Sequence, residues 1–271
     1  SDNNEDPKKY IQPKEPTFIT GDLLKRLDMR TIYMQFEPEA MVSHREKLLK
    51  YGNQYDFILT YDEVILQKYQ HAYKYLYGTT WILPEDVEKI NIESKKFLLT
   101  SLTGCKVGAT GHRFRHQIYF HQQHIKSIPI LFYLSGGLAT VPNYIPIINN
   151  NPYLSEVRSS KIELFKDAQF SLVIENSRQA NYFTEKLCDC LITKTIPVYY
   201  GCPNISEYFD TTGWIILENE SVVEFLVKLQ AFTPDYYMKY IDIVHKNFET
   251  VKQYIDLYEN INRTLRSIPE Y

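Results

Sequence analysis

Between Phe170 and Phe209 the chain reads FSLVIENSRQANYFTEKLCDCLITKTIPVYYGCPNISEYF, and its reactive side chains fall at defined points in that run. Glu175-Asn176-Ser177 interrupts the apolar stretch Phe170–Ile174, which is short enough to be a buried strand. Glu185-Lys186 follows Thr184, a good N-cap, at the head of a segment with Leu187, Cys188 and Leu191 at helical spacing. The β-rich run Thr195–Tyr200 ends in Gly201-Cys202-Pro203-Asn204, a turn sequence. Strand, polar loop, helix, strand and turn make a βαβ unit. In open α/β sheets ligands bind at the carboxyl ends of the strands, which here carry Glu175-Asn176 and Gly201–Asn204.

Two further carboxylates, Glu37 and Glu39, flank Pro38 after the strand-like run Thr31–Phe36. Proline stops regular pairing, so both are expected in a loop at a strand's carboxyl end. His112, His116, His121 and His124 share one helical region, and the first two are one turn apart, a spacing that metal sites use. No carboxylate or cysteine at matching spacing accompanies them, so no metal is expected. No Asp-x-Asp occurs in the chain, which argues against paired aspartates holding a divalent ion on a diphosphate.

The set Glu175-Asn176-Ser177, Tyr182-Phe-Thr-Glu-Lys-Leu187, Ile196-Pro-Val-Tyr-Tyr-Gly201 and Pro203-Asn204 resembles the signature of glycosyltransferase family 10, the α1,3/α1,4-fucosyltransferases. The resemblance implies an α/β fold of GT-B architecture: two facing Rossmann-like domains with a C-terminal closing helix. It implies an inverting, metal-independent transferase that moves L-fucose from GDP-fucose to a glycan hydroxyl, with no cofactor beyond the nucleotide-sugar donor. The alternatives are a related transferase with another donor, such as UDP-xylose, and a non-catalytic glycan-binding module.

Family members hold the nucleotide sugar with the Asn of ENS and the Glu and Lys of TEK, so the resemblance assigns donor contacts to Asn176, Glu185 and Lys186, with Tyr182 where the family has an aromatic. Arg113-Phe-Arg115-His-Gln-Ile-Tyr119 is similar to a family arginine motif at a helix start, which implies Arg115, and Arg113 second, on the diphosphate. A guanidinium fork suits phosphate oxygens. Phe36-Glu37-Pro38 resembles the family's Glu-Ser-Pro-like loop and implies Glu37 as the catalytic base, with Glu39 its local competitor. Asn181, Lys194-Thr195 and Ile174 depart from the family pattern beside the donor pocket, which bears on the sugar more than on the fold.

These residues need a scaffold, and length allows one large domain or two modest ones in 271 residues. The expected division is a flexible lead-in over 1–16, an acceptor-side α/β domain over 17–93, a donor domain over 94–235 and a helical segment over 236–271. A short helix is expected near 22–27, another over 40–52 with Met41, Leu48 and Leu49 inward, a strand over 55–60, and a connection over 84–94. A strand from Lys96, a helix over 112–126, a strand over 128–134 and a loop over 138–157 lead to the central unit. Hydrophobic content of 44% supports a real core, and a net charge of −3 gives no basis for nucleic-acid binding. The 23 tyrosines and 14 phenylalanines suit carbohydrate stacking, although most are read as packing residues. Four cysteines without a CxxC fit a reduced compartment. No stretch approaches the ~20 apolar residues of a membrane span. A soluble, cytoplasmic protein is the expectation, with a trimmed signal or anchor left open.

Overall fold

The computed structural model describes residues 30–135, 153–154 and 161–269. The expectations for 1–16, for the helix near 22–27 and for most of the loop 138–157 lie outside the described residues. Two parallel sheets organise the rest. The first has the order β1 (Ile32–Met34), β2 (Phe57–Thr60), β3 (Ala72–Lys74). Parallel neighbours need crossovers, and helices α1 (His44–Tyr51) and α2 (Glu63–Lys68) supply them. All four residues of β2 are buried, as expected of a central strand covered on both faces. Asp62 caps α2, accepting from the amides of Val64 and Ile65, and Arg45 from α1 binds the same carboxylate at 2.8 Å. Helix α1 buries His44 and Leu48, whereas Leu49, expected inward, is 40% exposed. A two-turn helix has room for one apolar stripe, and adjacent residues point about 100° apart. Helix α2 and strand β3, six and three residues long, are too short to show a period in sequence.

The connection over 84–94 contains α3 (Pro84–Val87), with proline in its first turn where an amide is dispensable. The second sheet runs β6 (Tyr153–Leu154), β5 (Ile130–Ser135), β4 (Lys96–Thr103), β7 (Ala168–Ile174), β8 (Ile196–Tyr200), β9 (Ile215–Ile216), all parallel. Strand order reverses between β4 and β7, which opens a crevice at their carboxyl ends. Helix α4 (Thr110–Phe120) follows β4 and stops short of the expected 126, giving way to a tighter turn over Gln122–His124. Helix α5 (Glu185–Ile192) joins β7 to β8; Leu187, Cys188 and Leu191 are buried as the spacing required. Cys190 and Ile192 are buried too, Cys190 with its Sγ 3.3 Å from the Thr195 carbonyl, and α8 (Ile241–Val251) packs against α5. Between β9 and α8 lie α6 (Val222–Lys228) and α7 (Tyr236–Lys239).

The last helix, α9 (Leu257–Arg266), crosses back to the first sheet. Leu265 and Ile268 pack with Phe57, Leu59 and Tyr75, and Asn260 Nδ2 donates to the carbonyl of Gly78 at 3.2 Å. Asp189, fully buried on α5, holds the chain between the sheets: it accepts from Thr80 Oγ1 at 2.6 Å and the Trp81 amide at 2.8 Å, and pairs with buried Lys161 at 2.5 Å. Two parallel α/β layers closed by a returning terminal helix make the α/β, GT-B-type architecture that the resemblance implied.

Candidate active site

A cleft of about 480 Å³ opens at the β4/β7 reversal and is lined from both sheets. Its floor is built around Glu175, the first residue after β7. Its amide donates to the carbonyl of Tyr200 at 2.8 Å, tying β7 to β8. The carboxylate, with no exposed surface, accepts from the Thr184 amide at 2.9 Å and from Thr184 Oγ1 at 2.7 Å. Thr184 Oγ1 in turn caps α5 by accepting from the Lys186 amide. One buried carboxylate therefore fixes where α5 begins and, with it, where Glu185 and Lys186 stand. Sequence reasoning treated Glu175 as part of the motif but gave it no task; its burial at a strand end was the available signal.

Helix α4 is pressed onto the same turn. A Cβ at Gly111 would lie 1.8 Å from the Glu175 carbonyl oxygen, so only glycine permits the approach, and the Gly111 amide donates to the Asn176 carbonyl at 3.0 Å. One turn along, Arg115 Nη2 meets Asn176 Oδ1 at 3.2 Å at the cleft surface. Burial pushes this guanidinium down from its ordinary value while Glu175 and Glu185 pull it up; a guanidinium stays charged regardless. Arg113 does not join it. Its Nη1 donates to the carbonyls of Val107 and Gly108, both at 3.1 Å, on the exposed side of α4, and Arg113, expected as the second diphosphate contact, does not line the cleft. Residues two apart on a helix point about 200° from one another, so one of the pair had to face away.

Lys186 Nζ lies 3.0 Å from Glu185 Oε1 and 3.8 Å from Glu175 Oε2. Burial works against its charge, but Glu185 and Glu175 outweigh it and hold the ammonium above the ordinary lysine range. Burial raises Glu185, and Lys186 and then Lys161 overcome it, bringing that carboxyl to about 2. Glu175 goes the other way: burial raises its pKa against the opposing charge of Lys186. Tyr182 is buried at the cleft wall with its ring 5.6 Å from that of Tyr61. His112, marked in sequence only by its one-turn spacing from His116, lines the cleft as a neutral ring. Its Nδ1 accepts from the Ala109 amide at 3.2 Å, and burial, then Arg115, Lys106 and Lys186, bring it to about 4. The missed signal was His-x-x-Arg, which puts His112 on the face of Arg115. His116 binds the Gly104 carbonyl at 2.7 Å, and among the described residues no His, Cys, Asp and Glu side chains gather in a group of three or more that could hold a metal ion.

From the first sheet, Phe36 and Glu37 reach the cleft directly after β1, both exposed, beside Tyr77 and Trp81. Glu39 is engaged elsewhere: Oε2 accepts from the Arg45 amide at 2.7 Å, and its own amide donates to Gln179 Oε1 at 3.0 Å. The turn Gly201–Asn204, expected beside the ligand, does not line the cleft but supports it through Asn181. Asn181 has φ 61, in the left-handed region that asparagine tolerates better than most residues. Its amide donates to Asn204 Oδ1 at 2.9 Å, and its Oδ1 accepts from Asn204 Nδ2 at 2.8 Å and from Tyr208 Oη. Its Nδ2 crosses to the first sheet's loop, donating to Glu63 Oε1 at 2.7 Å and the Tyr61 carbonyl at 3.2 Å.

The fold is that of GT-B glycosyltransferases. The structure aligns with that of Anabaena Alr3699/HepE in complex with UDP-glucose at a TM-score of 0.61, 11% identity, over 89% of this chain and 72% of that one. It aligns with an α1,3-fucosyltransferase at 0.54, 14% identity, over 94% and 77%. Within that class the resemblance is to family 10: residues 140–264 match the model of the glycosyltransferase family 10 (fucosyltransferase) C-terminal region. Over 107 residues the chain is 33% identical to the α-(1,3)-fucosyltransferase FucT of Helicobacter pylori, covering 39% of this chain and 20% of that protein. A fucosyltransferase-like protein of Arabidopsis thaliana is 42% identical over 48 residues, 18% of this chain and 9% of its own length. The chain thus spans a fifth or less of these relatives. No helix among the described residues is long and apolar enough to cross a membrane.

Proposed function

We propose that this chain is an inverting, metal-independent glycosyltransferase that transfers L-fucose from GDP-fucose to a hydroxyl of a glycan acceptor. The observation that carries the reading is one cleft lined by Glu37 from the first sheet and by Arg115, Asn176, Glu185 and Lys186 from the second. Residues 17–93 serve the acceptor and 94–235 the donor, and the segment from 236 joins the two. Glu37 takes the proton from the acceptor hydroxyl as its oxygen attacks the anomeric carbon opposite the nucleotide. The new C–O bond forms as the bond to the diphosphate breaks, and the electron pair leaves on phosphate oxygen. The ring passes through an oxocarbenium-like state. Arg115 and Lys186 stabilise the developing diphosphate charge, which preorganised cations do well in a site shielded from water. Glu185, ionised at about 2, accepts from ribose hydroxyls, and neutral His112 offers an N–H without adding a third positive charge.

A thermal-shift series with GDP, UDP and their sugars tests the donor. Ligand at ~100 times its Kd stabilises by about 2.7 kcal/mol, or roughly 5–10 °C for a chain of this size. A larger shift with UDP than with GDP would move the reading to a UDP-sugar donor. A protein that binds glycans but neither binds nor hydrolyses nucleotide sugars would be a binding module.

A further inference from the structure

Phe36 stands out among the aromatic residues of the cleft. Phe165 and Tyr182 are buried and Tyr77 and Trp81 half-buried, whereas Phe36 is 38% exposed and borders the cavity. It is not loose. Two rings stand nearly perpendicular to it, Tyr77 at 5.4 Å and 80° and Tyr75 at 6.5 Å and 88°. Tyr61 Oη reaches its carbonyl at 3.5 Å. An aromatic ring held by perpendicular neighbours and partly exposed at the cleft is a hydrophobic surface of the kind that recognition sites combine with a few polar groups that set orientation. The polar group here is Glu37, the next residue in the chain, so platform and carboxylate are joined across one peptide unit of ~3.8 Å.

We propose that Phe36, with Tyr77 at its edge, is the platform for the acceptor: a neutral pyranose ring lies with its C–H face on Phe36 and directs one hydroxyl to Glu37. The inference rests on the glycosyltransferase reading and adds the substrate class at the acceptor end. A sugar ring has an apolar face and a polar rim, which matches a flat aromatic beside a carboxylate. A uronic acid is disfavoured on Phe36 because its carboxylate would meet Glu37, the next residue in the chain and on the same cleft, and like charges at short range repel. Because stack and base share one loop, a ring seated on Phe36 is oriented toward the base before the donor half contributes anything.

Saturation-transfer NMR tests this with methyl β-galactopyranoside, methyl β-glucopyranoside and methyl β-glucuronide in the presence of GDP. The expected result is strong saturation of the C–H protons on one face of a neutral ring and none of the glucuronide. Phe36→Ala should weaken that binding about tenfold, the equivalent of 1.4 kcal/mol. Phe36→Leu should recover it only in part, and Phe36→Trp should restore it. The exposed position makes all three compatible with folding, and their melting curves check it. Saturation that is unchanged in Phe36→Ala, that shows no face preference, or that is absent for both neutral sugars overturns the platform. The donor reading fails separately: a wild-type protein whose melting temperature moves with no nucleotide refutes glycosyl transfer whatever the sugars do.

Discussion

Asn181 joins the two sheets beside the cleft, and replacing it tests that junction in three separable ways. Alanine at a left-handed position costs about 1 kcal/mol for the backbone alone. It also removes the side-chain partner of the Tyr61 carbonyl, of Tyr208 Oη and of Glu63. Glu63 is half exposed and Asn204 Nδ2 keeps Glu207 at 3.0 Å, so those losses are small. The remaining buried groups cost about 1–2 kcal/mol, giving about 2–3 kcal/mol for Asn181→Ala. Asn181→Gly relieves the backbone and should cost about 1 kcal/mol less. Asn181→Asp keeps the left-handed preference but sets a carboxylate against Glu63 Oε1 and the Tyr61 carbonyl, where Nδ2 now donates. That aspartate would titrate above its unfolded value. Its penalty is therefore full above the raised folded pKa and shrinks progressively as pH falls from there toward the unfolded value of about 3.9. Urea denaturation of the three variants at pH 7 and pH 5 measures all of this. If Asn181→Ala matches the wild type, or the deficit of Asn181→Asp relative to the wild type is as large at pH 5 as at pH 7, the cross-sheet bridge is not formed as described.

Glu37→Gln keeps the shape of the proposed base and should lower kcat by about 10²–10⁴-fold with donor affinity intact, whereas Glu39→Gln should act mainly on stability through the start of α1; the reverse pattern moves the base two residues along the loop. Lys186→Ala should lower turnover about 10²-fold, and wild-type kinetics would remove Lys186 from the site. Activity should persist in excess EDTA, since charge neutralisation is assigned to Arg115 and Lys186; complete loss restored by Mn or Mg refutes it. Burial holds both His44 and His112 at about 4, below the unfolded value near 6.5. Between those values the unfolded chain binds more protons, so stability should fall as pH drops from 6.5 to 4. His112→Gln should flatten that limb by roughly 2 kcal/mol, and an unaltered pH profile would show that His112 is not held neutral.

Much of the second sheet's half is written locally. Thr184 before Glu185, the apolar run ending at Ile174 and the β-branched run before Gly201 obey capping and burial rules that operate over a few residues, and β7, α5 and β8 form where those rules put them. The choice between similar candidates was not local. Arg115 rather than Arg113 faces the cleft because Gly111 lets α4 close onto the Glu175 carbonyl, a contact between residues 64 positions apart in the chain. Glu37 rather than Glu39 is left available because Arg45 and Gln179, the latter 140 residues away, engage the second carboxylate's residue. Asn181, legible only as a departure from a family pattern, proves to be a left-handed residue bonded across the sheets. Helix α9 shows its apolar face in sequence, but that pattern is equally compatible with either sheet. Its packing on Phe57 and Leu59 followed from which apolar surface was still uncovered once β1, β2 and β3 had paired, and burial of apolar area is indifferent to the order of residues that supply it.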